Sequence, residues 1–232
     1  MKLGILETGA PPGDLRDKFG DYPQMFRALL GAEAYDYAVY DATAGELPDR
    51  PQDCDAYLIT GSPAGVYDPL PWIPGLQRFL LDAKGKAGLV GVCFGHQIMA
   101  QAFGGKAAKA PVGWGVGLHD YQVAHAEPWM GGARSFRGAA SHQDQVLEPP
   151  PGARIVAGSP FTPYGMLAYD DQPAISLQLH PEFAPDYAKA LIEARRGRRF
   201  TDAAADAAIA SYDHGDDRAE VGGWIRRFLD TL

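Results

Sequence analysis

The feature that most narrows the fold is an alternation of short apolar runs with helical periodicities over the first hundred residues. Leu3–Thr8, Tyr35–Tyr40, Ala56–Thr60 and Ala87–Val92 read as strands. Tyr22–Leu30, Trp72–Lys84 and Phe94–Phe103 read as helices, with Ile73, Leu76, Phe79 and Leu80 at helical spacing. Parallel neighbours need a crossover, and a helix supplies it, so this alternation predicts an α/β fold with a mostly parallel central sheet covered on both faces.

The second half changes character. Lys106–Val123 is rich in Gly and β-formers, and Ala153–Ala157, Met166–Tyr169 and Ala174–Leu179 are short strand signals separated by turns. They predict extra β-hairpins or later strands of a mixed sheet. From Pro185 onward the reading is helical, over Ala188–Arg196, Asp202–Tyr212 and Glu220–Leu229. In the last of these Val221, Trp224, Ile225, Phe228 and Leu229 form one apolar face, expected to pack back on the domain. No linker divides the chain, so a single domain over 1–232 is expected, with an α/β core over 1–184 and a C-terminal helical extension over 185–232.

Composition removes several classes of function. A formal net charge of −8 makes the chain a poor phosphate-backbone binder, so no nucleic-acid partner is expected. No stretch approaches the roughly 20 apolar residues of a membrane span. The opening MKLGILETG is broken by Glu7 too early for a signal-peptide core, which makes the cytoplasm the expected compartment. The only cysteines, Cys54 and Cys93, exclude a disulfide framework and a Cys-rich zinc site. Neither a GxxxxGK[ST] loop nor a GxGxxG turn occurs, and no cofactor or metal is expected.

The sharpest chemical signal is Gly91-Val92-Cys93-Phe94-Gly95-His96-Gln97, which follows a strand and opens a helix. It has the logic of the G-x-S-x-G nucleophile elbow, with a thiol in place of the hydroxyl. Glycines on either side let neighbouring segments pass close. A cysteine at a helix N-terminus sees the positive end of the dipole, which favours thiolate. The Phe94 N–H is left aimed at a developing oxyanion. Cys54 lies in PQDCDA without such a context and is expected to be structural.

A thiol nucleophile needs a base, and the base needs a group to hold its tautomer. Of six histidines, His180 stands out because it follows the apolar run AISLQL and opens the turn HPEF. Pro181 disfavours helix at the residue before it, so Glu182 falls on the same side as His180 in an extended segment. Cys93, His180 and Glu182 thus have the parts of a Cys-His-Glu triad.

At these residues the chain resembles the class I glutamine amidotransferases, whose pattern is G-x-C-x-G-x-Q followed by H-P-E. Leu58-Ile-Thr-Gly-Ser-Pro-Ala-Gly65 is similar to that family's oxyanion loop, and Ser141-His142-Gln143-Asp144 to the SHxD segment of its GMP-synthetase glutaminase branch. The resemblance runs through Phe183, and the helical tail resembles free-standing GMP-synthase-like members. It implies a flavodoxin-like core and hydrolysis of a γ-glutamyl amide, with glutamine the first candidate. Cys93 forms a γ-glutamyl thioester, ammonia leaves for an acceptor, and Gly61, Ser62 and Phe94 supply the oxyanion hole. Gln97, one turn past the nucleophile, contacts the glutamine head group. Ser141, His142 and Asp144 contact the α-amino and α-carboxylate groups, although His142 also reads as a satisfied surface histidine.

The chain lacks the length for a fused ATP-pyrophosphatase domain, so two enzyme readings stand: a glutaminase serving a separate synthase subunit, and a self-contained γ-glutamyl peptide or amide hydrolase. A catalytically silent binding module on the same fold is the non-enzyme alternative. Three segments stay bland. Thr8–Asp21 is expected as a loop over the sheet's active edge. Trp114 is a packed aromatic or a wall of the site. Arg195, Arg196, Arg198 and Arg199 are expected as a solvated helix C-terminus, with anion binding the minor alternative.

Overall fold

The computed structural model describes residues 1–232. In chain order its strands are β1 (Lys2–Glu7), β2 (Asp36–Asp41), β3 (Ala56–Ile59), β4 (Gly88–Val92), β5 (Lys106–Lys109) and β6 (Gly115–Val123). They continue with β7 (Ser135–His142), β8 (Asp144–Glu148), β9 (Ala153–Gly158), β10 (Met166–Tyr169) and β11 (Ala174–Leu177). The helices are α1 (Gly13–Phe19), α2 (Tyr22–Leu30), α3 (Trp72–Ala83), α4 (Phe94–Ala102), α5 (Pro185–Arg195), α6 (Asp202–Ser211) and α7 (Arg218–Leu229).

Nine strands form one sheet in the order β2-β1-β3-β4-β11-β10-β9-β6-β7. The first five are mutually parallel; the rest of the sheet is antiparallel. The chain leaves β1 for β2 on one side and returns to β3 on the other. That reversal opens a crevice beyond the carboxyl ends of the strands, where open α/β sheets collect their ligands.

Period-2 alternation decides which residues face which helices. Leu3, Ile5, Leu58, Val90 and Val92 pack with Phe26 and Leu30 of α2 and with Val221, Trp224 and Phe228 of α7. Leu6, Tyr57, Ile59 and Leu89 point the other way, against Ile73, Leu76 and Leu80 of α3 and Ile98 and Met99 of α4. The apolar face of α7 therefore closes on the sheet, as its spacing predicts. At Gly222 a β-carbon would sit 2.7 Å from Leu29 Cδ1, so a larger residue there would push the Leu29 side chain aside. A third cluster joins Tyr22 and Met25 to Tyr187, Leu191 and Ile192 of α5 and Ala205 and Ala208 of α6. No helix is long and apolar enough to cross a membrane.

Three differences from the expected elements matter. The segment expected as a loop over 8–21 contains α1, which buries none of its residues and has no side-chain N-cap; a helix with no buried stripe leaves no periodicity to read. Strands β7 and β8 were not apparent in SFRGAASH and DQVLE, because small and polar residues replace the β-branched ones that mark strands. They place Ser141 and His142 at the end of one strand and Asp144 at the start of the next. A short ribbon of β5 and β8 holds Asp144 opposite Lys109.

His96 of α4 is fully buried, with Nδ1 2.7 Å from Ser176 Oγ on β11. Burial pulls its imidazolium down to about 3 from an ordinary 6.5. The unfolded chain therefore binds a proton below pH 6.5 that the folded chain refuses until about pH 3. Stability is full above pH 6.5 and drains as the pH falls, by about 1.4 kcal/mol per pH unit for one such group. The urea midpoint is expected to fall between pH 7 and pH 5, and His96→Gln to flatten that slope. An equal slope in the variant would assign the acid sensitivity elsewhere.

Candidate active site

At the turn from β4 into α4, Cys93 adopts φ 54° and ψ −102°, and it alone among non-glycine residues has a positive φ. Such a conformation costs on the order of 1–3 kcal/mol and persists only where its surroundings impose it. Here the Cys93 N–H donates to the Leu177 carbonyl at 2.8 Å, and its own carbonyl accepts from Gln97 N at 3.1 Å. The flanking glycines are required by space. A β-carbon on Gly91 would meet the Gly95 carbonyl and Met99 Sδ at 2.6 Å, and one on Gly95 would collide with the Ile59 carbonyl oxygen. The Gly95 N–H donates to Thr60 O at 3.1 Å, tying the elbow to β3.

Beyond β11 the chain bends at Gln178 and Leu179 and reaches His180, whose N–H donates to Ala139 O of β7 at 2.9 Å. The extended segment expected from His180 to Glu182 is instead a tight turn closed by Phe183 N–H on the His180 carbonyl at 3.3 Å, because Pro181 permits a turn as readily as a strand. Its ring stacks on Phe183 at 4.0 Å and 8°. His180 Nδ1 lies 2.7 Å from Glu182 Oε1, and both side chains are buried. A β-carbon on Gly61 would sit 2.8 Å from His180 Cε1 and 3.6 Å from Cys93 Cβ. Three sequence-distant segments thus converge on one point, with Gly61 as the spacer. Burial pulls the His180 imidazolium down; the nearby negative charges of Cys93 and Glu182 and the hydrogen bond to Glu182 outweigh it, so its pKa is raised.

Of the expected oxyanion donors, Gly61 lies beside His180 and Cys93, Ser62 follows it in the chain, and Phe94 follows Cys93. Phe94 is the first residue of α4, so its N–H has no intrahelical acceptor. The Gly61 and Ser62 N–H groups make no bond within the protein. A buried pin that sequence reading missed holds their loop: Thr8 Oγ1 donates to Thr60 O at 2.9 Å and also lies 3.1 Å from Gly61 O. Thr8 N donates to Thr60 Oγ1 at 3.0 Å. Gly9 lets Pro63 pack against β1's exit, since a β-carbon there would be 2.7 Å from Pro63 Cδ.

Cys93 stands where two chambers meet. The larger, about 660 Å³, is lined by Pro12, Leu15, Tyr22, His180, Phe183 and Arg198, among others. The smaller, about 340 Å³, is lined by Tyr67, Gln97, His142, Gln143 and Asp144. Ser62, Ser141, Arg195 and Arg199 border both.

Within the smaller chamber the expected head-group residues take distinct positions. Gln97 Nε2 donates to Asp144 O at 2.8 Å and to Gln178 Oε1 at 3.1 Å. Ser141 Oγ accepts from Arg195 Nη1 at 2.7 Å. His142 is not the surface histidine that one reading expected: it is 3% exposed. Burial first, then the charge of His180, pulls it down to about 3, so it is neutral. Tyr67, not apparent in the sequence, lines the same chamber with its ring half in solvent.

The arginine run splits. Arg196 behaves as a solvated helix end, paired with Glu193, Asp202 and Asp206. Arg195, Arg198 and Arg199 instead line the cleft, and Arg199 lies over the Trp114 ring at 5.1 Å. Trp114 both packs on Phe200 and lines the smaller chamber. The segment expected as a loop reaches the larger chamber through Ala10, Pro12 and Leu15. Cys54 is buried 3.8 Å from Tyr40 Oη, away from the cleft, as expected.

This fold and elbow are those of a known class: the glutamine amidotransferase class-I family model matches residues 22–196, and the chain belongs to that family. A glutamine amidotransferase-like protein of Schizosaccharomyces pombe is 28% identical over 98% of each chain. Gamma-glutamyl peptidase 3 of Arabidopsis thaliana is 30% identical over 73% of this chain and 72% of that one. The glutamine-hydrolyzing GMP synthase of Thermus thermophilus is 34% identical over 60% of this chain but only 26% of its own length. In fold, a glutamine amidotransferase from Thermotoga maritima superposes with a TM-score of 0.76 at 17% identity, over 99% of this chain and 97% of that one. The class I amidotransferase fold expected from the sequence is therefore present.

Gly95→Ala is expected to lower stability by about 1–3 kcal/mol, since the new methyl meets backbone rather than a flexible side chain. Urea denaturation checks it. A wild-type midpoint in the variant would show that the elbow does not depend on this close approach.

Proposed function

We propose that the protein hydrolyses γ-glutamyl amide bonds through a Cys93 thioester. The observation that carries this reading is the approach of Cys93 and His180 on either side of Gly61, beside backbone N–H groups of Gly61 and Ser62 that have no acceptor in the protein. The thiolate attacks the γ-carbonyl, and the oxyanion forms against those N–H groups. Glu182 accepts a hydrogen bond from His180 Nδ1–H, which leaves Nε2 to exchange a proton with sulfur and leaving group. His180 protonates the departing nitrogen as the C–N bond breaks. Water, deprotonated by the same imidazole, then attacks the thioester and releases glutamate and the thiol.

The two chambers divide the substrate. His180 lines only the larger one, so the leaving amine faces that side. The glutamyl head group enters the smaller one, where the Asp144 carboxylate meets the α-ammonium beside Tyr67 and Gln97. A small molecule such as water fills only about 30 Å³ in the liquid, and ammonia leaves most of a chamber of about 660 Å³ empty. This favours a self-contained hydrolase for γ-glutamyl compounds with larger leaving amines, in line with the plant γ-glutamyl peptidases among the relatives. The glutaminase reading is supported by relatives such as the glutamine-hydrolyzing GMP synthase chain of Ignicoccus hospitalis. In that case a separate synthase covers the mouth of the larger chamber.

Purified protein is expected to cleave γ-glutamyl dipeptides without a partner, and Cys93→Ala to abolish cleavage. Activity retained in that variant overturns the mechanism, whereas glutamine hydrolysis that appears only with a second protein selects the glutaminase. Glu182→Gln is expected to lower kcat by about 10²–10⁴-fold. Because Glu182 helps to raise the His180 pKa, the alkaline limb of kcat is expected to move to lower pH in that variant. An unmoved limb would detach Glu182 from the acid step.

A further inference from the structure

The charges at the cleft run against those of the whole molecule. The chain carries a net −8, yet Arg195, Arg198 and Arg199 line the larger chamber with Asp14 as its one acidic residue. Arg196, from the same run, is paired with three carboxylates. Its three neighbours have none within salt-bridge distance. Arg195 is the most telling, because it is largely withdrawn from water and bonds only the neutral Ser141 hydroxyl, at 2.7 Å. Burial, and next the Arg199 charge, push its guanidinium below the ordinary arginine range. A guanidinium has five donors, and holding it half-desolvated beside another cation is costly unless an anion arrives.

Position identifies that anion. Arg198 lines only the chamber that holds His180, on the leaving-group side. Arg195 is anchored through Ser141 at the border between the chambers, and Arg199 is steadied over Trp114. Planar guanidinium forks match a carboxylate bidentately.

We propose that Arg195, Arg198 and Arg199 form a carboxylate receptor for the leaving amine, so that the preferred substrates are γ-glutamyl peptides whose departing residue carries a free carboxylate. This rests on the Cys93 hydrolase reading and adds its substrate class. The substrate's glutamyl group lies over the elbow, and its second residue extends past His180 toward the end of α5.

The test compares γ-glutamylglycine with γ-glutamylglycinamide, which keeps the glutamyl α-carboxylate and lacks only the leaving-group charge. Wild-type protein is expected to favour the acid by about ten-fold or more in kcat/KM, the worth of a charge-assisted contact. Arg198→Ala is expected to erase most of that preference, and Arg198→Glu to shift it toward a γ-glutamyl amide of ethylenediamine, whose leaving amine is cationic. Calorimetry of the acid and the amide on the Cys93→Ala chain measures the same preference without turnover. Equal treatment of acid and amide by the wild-type protein overturns the proposal and leaves the hydrolase standing. Equal slowing of both by Arg198→Ala also overturns it, by assigning the cluster to the glutamyl head. A binding preference for the acid with no hydrolysis of either compound keeps the receptor and removes the hydrolase.

Discussion

The backbone at residue 93 is the constraint on which the rest of the cleft depends. An L-residue with φ 54° is uncomfortable, and the strain is held by bonds from two other strands. β11 fixes the Cys93 N–H through Leu177, and β3 fixes the next turn through Thr60. Gly91 and Gly95 exist to let those strands come near enough to do so. The reward is geometric: the sulfur is presented at the carboxyl edge of the sheet, at the positive end of α4, with an unbonded N–H beside it.

The partners of the sulfur are set by the same packing rather than by separate devices. Gly61 has no side chain, and this permits His180 and Cys93 to approach from its two sides. Phe183 covers the face of the imidazole, and Glu182 holds its far nitrogen. The Thr8–Thr60 pair carries the end of β1 into the position of the 61–63 turn. The sheet order thus brings the elbow and the end of β11 together, and the connection after β3 supplies Gly61 and Ser62.

Much of this was legible in the chain. The parallel half announced itself through runs such as AYLIT and GLVGV, because strands buried on both faces must be apolar throughout. The elbow and the HPE turn were legible because the tight turn demands glycine and proline at fixed offsets. The remainder was hidden for physical reasons. α1 buries no residue, and β7 is built from small side chains, so neither carries a periodicity. The fate of the four arginines depends on partners outside the run: Glu193, Asp202 and Asp206 claim Arg196, while Ser141, on a strand far away in sequence, claims Arg195. Like charges in a row look alike until the fold distributes them.

The place of β11 has a consequence for how the molecule comes into being. It is the last strand to be synthesised, yet it lies inside the sheet, between β4 and β10. The sheet cannot grow outward from its first hairpin, and pairings of such sequence separation form slowly. Until β11 enters, the residue 93 amide lacks its acceptor and the imidazole of residue 180 has no fixed address. A nascent chain thus carries Cys93 free of the strained turn through its most exposed stage, and the elbow geometry is imposed only in the step that completes the fold.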